Sequence, residues 1–496
     1  MMGNCKLWFI LVTIFELRIV YGQSMPDWLV TKIATPTKLV HLGDNKIRLT
    51  NGLILRDFAT TPDFATVDFF SNEKQMSLLR AISPEAVISI DGLFYNVGGL
   101  NTSIPRAYLN RSALALDSHI DISAFHFVSY ETKTPVAPFP YRSRRGAPKD
   151  IVWPPAGLRL DIDFKAPCWA PPYHQQVTVT VHYEMYDGAP LLAKWVTITG
   201  LPAVRNKIKV FVSSIEYLAV NWQWTNHGYG WLIIENDVPH TKVRWETDPA
   251  HSSMPGSFEG VVNCTYPQHA LVPLANGFES FHVHELVIGS SDPERYGLAL
   301  RRKIRLLAPH TQENPIFFHM VKTDSKSVRA VIDQMADVGF EMMIYSFGDD
   351  FNMESNDTDY LKRIASDIAY ANSKGIEVGG YDLIVWTREV QTAWMDVGGD
   401  GACIASGWYD YLLERVVNFI DNTNLSMVET DGPYPGYTCS SETHSHHSGI
   451  DDSIYWQLKL QSKFYRILRG KEVYINQPDD YFYQGGSRAG SLIDQY

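Results

Sequence analysis

The sequence predicts a multidomain β plus α/β protein: a large all-β domain followed by the first part of a (β/α) barrel. Three observations predict it. Short apolar runs broken by Gly, Pro, Asn and Asp fill residues 38–308, the pattern of an extended β-sandwich. After Pro315, strand-like runs alternate with stretches of helical period, which implies a parallel sheet with crossover helices. Polar residues gather where the proposed strands end, and a doubly wound sheet would fit the periodicity equally well without them; a shared mouth at the strand ends is the mark of a barrel.

The chain opens with an apolar stretch, residues 7–15, which is too short to span a bilayer and stops at Glu16 and Arg18. With small residues at Val20 and Gly22 it reads as a signal peptide, residues 1–22, cut after Gly22. No later stretch reaches the roughly 18 to 20 apolar residues a membrane helix needs, so a secreted protein, with a lysosomal one as the variant, is expected and no membrane partner. Removing Cys5 leaves Cys168, Cys264, Cys403 and Cys439. An even number suits an oxidising compartment and allows three connectivities. Pairing Cys168 with Cys264 and Cys403 with Cys439 keeps each bridge within one domain. Sequons begin at Asn101, Asn110, Asn263, Asn356 and Asn424, as expected of a glycoprotein.

A formal net charge of -12 argues against nucleic acid and anionic membranes, which need clustered Lys and Arg. The basic run at residues 142–145 resembles a furin-type processing site, although a solvated loop is the plainer reading. No glycine-rich phosphate loop is present, so no cofactor is expected.

Residues 23–312 are assigned to the sandwich and 313–496 to the barrel. The clearest hairpin alternates Val177, Val179 and Val181 with polar neighbours, turns at Asp187-Gly188 and returns through Leu191-Leu192 and residues 195–198; Asp-Gly accepts the positive φ angles of a tight turn. Trp222, Trp224 and Trp231 read as packing rather than as sugar platforms. In the second domain, residues 316–318 lead to a helix with Val328, Val331, Ile332 and Met335 on one face, ended by Gly339. Residues 342–345 lead to a helix with Leu361, Ile364, Ile368 and Ala369, ended by Gly375. A third strand over 376–386, a helix over 409–420, a fourth strand over 426–431, a helix over 453–468 and a fifth strand over 473–475 continue the rhythm up to Tyr496.

The chemistry is sought at the strand ends: residues 345–350, Tyr381-Asp382, residues 429–432 and 476–480. Side chains alternate along a strand, so Glu429 and Asp431 share one face while Val428 and Thr430 turn away. Such a pair can supply a nucleophile and a neighbour that tunes it. Asp431 is favoured because the rigid turn Gly-Pro-Tyr-Pro-Gly follows it, whereas Asp349, Asp350, Asp451 and Asp452 read as helix caps or loop residues. Asp382, Trp386, Asp479, Asp480 and His446 are expected to contact a sugar substrate. His444, His446 and His447 invite a metal reading beside Cys439 and Glu442, but helix-spaced histidines and Cys-x-x-Cys pairs are both lacking, so no metal is assigned.

With these residues in view, the chain resembles the α-glycosidases of glycoside hydrolase clan D, nearest the α-galactosidase-like families with an N-terminal β-supersandwich and a (β/α)8 barrel. Val-Glu-Thr-Asp-Gly at 428–432 is similar to the clan's fourth barrel strand, whose terminal aspartate is the nucleophile of a retaining mechanism. The resemblance therefore implies that Asp431 forms a glycosyl-enzyme, with an α-galactoside as the leading substrate. Glu429 stands where the family carries lysine, which points to other sugar hydroxyls. The family's acid/base aspartate ends the sixth strand; five strands precede Tyr496, so an incomplete barrel without that group is expected of this chain. The alternatives are a non-catalytic carbohydrate-binding protein built from a hydrolase and a structural glycoprotein with no sugar site.

Overall fold

The computed structural model describes residues 26–43, 45–102, 118–143, 151–200, 208–221, 231–247, 259–273, 277–346, 350–386, 392–396, 398, 401–431, 436–477 and 481–487. The expected signal peptide, Asn110, Trp222, Trp224, Asp349, most of the turn after Asp431, Asp479 and Asp480 lie outside these residues.

Alternating apolar residues build the β-rich half. The hairpin forms as Thr178–Tyr186 against Leu191–Thr199, with Gly188 at φ 70° in the turn. It is the centre of a seven-stranded antiparallel sheet that runs His126–Lys133, Gly157–Lys165, the hairpin, Val283–Val287 and Leu232–Asn236, with Phe278–Glu279 paired beside it. A five-stranded sheet from Lys38–His41 to Met76–Ser77, a four-stranded sheet around Ala86–Ile90 and a three-stranded sheet centred on Glu259–Thr265 complete this half. The inward faces of these sheets merge into one apolar core containing Leu49, Phe58, Ile88, Val181, Val196, Val212 and Val262.

Inside the sandwich lies a cluster of buried charge. Arg56 sits 3.1 Å from Glu285 and 3.5 Å from Glu216, and Lys194 sits 3.0 Å from Glu216 and 3.7 Å from Glu85. Burial, with the neighbouring Glu216 charge, pushes the Glu285 carboxyl well above its usual range against the pull of Arg56. A protonated Glu285 then bonds to Glu216, and two cations face two carboxylates. Buried ions persist only when paired in this way.

The sequence reading carries β structure up to residue 308, but Pro293–Leu307 is a helix: Asp292 caps Arg295 N at 2.9 Å and Pro293 occupies the first turn. Beyond it, Phe317–Met320, Met342–Tyr345, Glu377–Leu383, Met427–Asp431 and Tyr474–Asn476 pair in that order as a five-stranded, wholly parallel sheet. The helices Ser325–Val338, Thr358–Ser373, Gly407–Thr423 and Ser453–Gly470 connect the strands. Gly339, at φ 91°, ends the first of them in the left-handed conformation. Strand and helix termini differ from expectation by one to three residues at most of these elements, and the third strand is trimmed to 377–383.

The last helix joins the halves. Tyr455 stacks on Phe278 at 5.4 Å and donates to the Glu279 carbonyl at 3.2 Å, while Lys459 pairs with the Glu279 carboxylate at 2.8 Å. Among the described residues no helix is long and apolar enough to cross a membrane.

Candidate functional site

The parallel register decides which strand residues share a face. Met427 is level with Tyr474 and Gly379, and Glu429 is level with Tyr381 and Asn476. Along the fourth strand the side chains therefore alternate: Met427, Glu429 and Asp431 point to one side, Val428 and Thr430 to the other. Thr430 faces the helices, with its hydroxyl 2.9 Å from that of Tyr465 on Ser453–Gly470. The opposite, inner face has an apolar floor of Phe317, Met342, Ile344, Met427 and Tyr474. A side chain at Gly379 would collide with that floor, since its Cβ would lie 2.4 Å from the Met427 sulfur.

Polar groups stand on this floor toward the C-terminal strand ends. Tyr381 donates its hydroxyl to Asp431 Oδ2 at 2.9 Å. Asn476 donates to Glu429 Oε1 at 2.8 Å, and His319 Nδ1 lies 3.7 Å from Glu429 Oε2 and 3.2 Å from the Ser346 hydroxyl. Burial, with the Asp431 charge adding to it, raises the Glu429 carboxyl above the ordinary range, against the opposing pull of His319 and Asn476. Two carboxyl groups from one strand thus stand side by side, each held by a hydrogen-bond donor from an adjacent strand.

The other expected residues fall differently. Asp382 is 1% exposed and level with Thr430, which puts it on the helix-facing side; its neighbour Tyr381 occupies the inner face. Adjacent polar residues at a strand end cannot both face the mouth, and the register chose Tyr381. Trp386 follows the third strand and is 47% exposed. His446 is bonded to the Asp410 carboxylate at 2.8 Å, beside Tyr409. His319 went unremarked in the sequence, although its alternation with Phe317 on the first strand was the available signal.

The expected disulfides are a correction: all four described cysteines are free thiols. Cys168 lies in an exposed loop, while Cys264 is fully buried on a sandwich strand, where burial and the neighbouring Glu216 charge keep its thiol protonated. Cys403 and Cys439 are near one another, but each faces a histidine ring: Cys403 Sγ lies 3.6 Å from His447 Nε2, and Cys439 Sγ 3.5 Å from His444 Nδ1. The Cys439 thiol is held below its ordinary range, first by the hydrogen bond from the Cys403 thiol and next by His447, against burial.

No protein-family model matches the sequence, and neither does any curated protein. Solved structures do match it. The α-galactosidase from Lactobacillus brevis superposes with a TM-score of 0.58 at 10% identity, covering 91% of this chain and 74% of that one. The galactosidase domain of the α-galactosidase-sucrose kinase AgaSK gives 0.53 at 12% identity over 91% and 75%. A GH36 α-galactosidase variant from Geobacillus stearothermophilus, in complex with stachyose, gives 0.56 at 9% identity over 90% and 75%. At these identities the likeness is one of fold: a β-supersandwich followed by a parallel sheet with interspersed helices, as in a (β/α) barrel.

Proposed function

We propose that this chain is a glycoside hydrolase-like protein that binds carbohydrate at the C-terminal end of its parallel sheet and carries, in Asp431, the nucleophile of retaining α-glycoside cleavage. The observation that carries the reading is the inner-face arrangement itself: Asp431 ends its strand above an apolar floor, with Tyr381 on Oδ2 at 2.9 Å. That hydrogen bond orients the carboxylate for attack on an anomeric carbon, which breaks the bond to the leaving group and forms a glycosyl-enzyme, from which water then releases the sugar and frees Asp431. Glu429, held by Asn476 and His319, is placed to accept hydroxyls of the bound sugar. The exposed Trp386 offers a stacking face at the same end. That the structural neighbours described above are α-galactosidases supports an α-galactoside as the substrate to try first. The apolar stretch near the N-terminus supports a secreted or lysosomal protein.

An activated fluoro-galactoside tests the assignment, because a good leaving group departs without a proton donor and isolates the nucleophilic step. The full chain should acquire one label on the peptide containing Asp431, read by mass spectrometry. Label on another carboxylate, or undiminished labelling of Asp431→Asn, would overturn it. Galactose binding without any labelling would leave the non-catalytic carbohydrate-binding reading, which Trp386 favours.

A further inference from the structure

Apart from the strand ends, a second group of reactive side chains comes together on the loops beyond them. Cys403 lies in the loop before Gly407–Thr423; Cys439, His444 and His447 lie in the loop between the fourth strand and Ser453–Gly470. Their ligand atoms (the two sulfurs, His444 Nδ1 and His447 Nε2) all fall within 4.8 Å of one another, and three of the four residues are buried. The separations have the dimensions of a coordination sphere. A tetrahedral zinc ion with Zn–S of about 2.3 Å and Zn–N of about 2.0–2.1 Å spaces its ligands about 3.5 Å apart for S···N and about 3.3 Å for N···N. Here Cys403 Sγ lies 3.6 Å from His447 Nε2, Cys439 Sγ lies 3.5 Å from His444 Nδ1, and the two nitrogens are 3.0 Å apart.

The surroundings hold the ligands in place. His447 Nδ1 donates to the Gly449 carbonyl at 2.9 Å, which leaves Nε2 as the lone-pair nitrogen, the usual arrangement of a ligating imidazole. The Cys439 amide donates to the Ser453 hydroxyl at 3.3 Å, and the Ser406 hydroxyl donates to the Cys403 carbonyl at 2.7 Å. The His446 amide reaches the Ala405 carbonyl at 3.3 Å and ties the two loops directly.

We propose that Cys403, Cys439, His444 and His447 form a Cys2His2 zinc site that staples the loops following the third and fourth strands. Four protein ligands close a tetrahedral ion, so the metal is structural. It braces the loop that continues from Asp431 without taking part in chemistry at that residue, and the proposal stands whether or not Asp431 is a nucleophile.

The test uses the full chain, produced in a secretory host and purified without chelators. Mass-spectrometric metal analysis should find about one zinc per chain, and replacement by cobalt(II) should give the intense visible absorption of tetrahedral thiolate coordination. Cys439→Ser and His447→Ala should each lower bound zinc more than tenfold, while His446→Ala, next to the site but bonded to Asp410, should retain it. Wild-type protein that carries no zinc and gives no cobalt spectrum would overturn the proposal, as would a Cys403–Cys439 disulfide in its unreduced peptide map or equal zinc loss in His446→Ala. Should the ligand variants not fold, the wild-type metal content and cobalt spectrum decide.

Discussion

Replacing Lys194 with methionine removes one of the two cations in the sandwich's buried charge cluster and keeps the length of the side chain. Lys194 is fully buried and sits 3.0 Å from Glu216. Because Glu285 is held protonated, the native cluster balances, and the substitution leaves one uncompensated negative charge among Arg56, Glu85 and Glu216. Breaking a buried pair in this way costs about 3–5 kcal/mol. Roughly 270 residues unfolding with about 2.1 cal/mol/K each give an entropy near ~0.6 kcal/mol/K, so the Tm of the β-rich half should fall by about 5–9 °C. Lys194→Met combined with Glu216→Gln removes the orphaned charge and should recover most of that loss. Differential scanning calorimetry of the full-length proteins measures both. A fall of under about 2 °C, or a double variant less stable than Lys194→Met alone, would refute the charge balance.

Three further outcomes are expected. The raised Glu429 carboxyl holds its proton more tightly folded than unfolded, so its stabilising contribution is complete below roughly pH 4.3 and is lost as pH rises through the folded value; Glu429→Gln should therefore gain in Tm over wild type between acid and neutral pH, and parallel melting curves would contradict this. Asp237 runs the other way. His282, bonded to its carboxylate at 2.7 Å, holds it at about 2 in spite of burial. Its contribution of about 2 kcal/mol is present above roughly pH 3.9 and lost as pH falls through the folded value, so urea midpoints for Asp237→Asn should decline less between pH 4 and pH 2 than those of wild type. Finally, Asn356 and Asn424 are exposed, whereas Asn263 is half-buried on a strand paired on both sides. Glycopeptide mapping of protein from a secretory host should find glycans on the first two and none on Asn263; bare Asn356 and Asn424 would count against a secreted protein.

Local periodicity was enough to determine the division into a β-rich half and a parallel strand–helix half, and the shared face of Glu429 and Asp431. Alternation at period 2 and the i, i+3, i+4 helical stripe are properties of neighbouring residues, and both survive into the structure. The Val-Glu-Thr-Asp run states its own facing because its apolar and acidic positions interleave. Tyr381-Asp382 does not, since both residues are polar; only pairing with Glu429 and Thr430 showed that Tyr381 enters the site and Asp382 leaves it. Asn476 and His319 reach Glu429 from two other strands, a meeting that no window of sequence contains. The cysteines make the same point. Their even number suggested bridges, yet Cys264 is enclosed in the sandwich and Cys403 meets Cys439 only together with two histidines. Sequence spacing records how far apart residues lie along the chain, whereas the meeting of Cys403 with Cys439, His444 and His447 is a matter of angstrom-scale separations in space, which the approach of two loops beyond the parallel sheet decided.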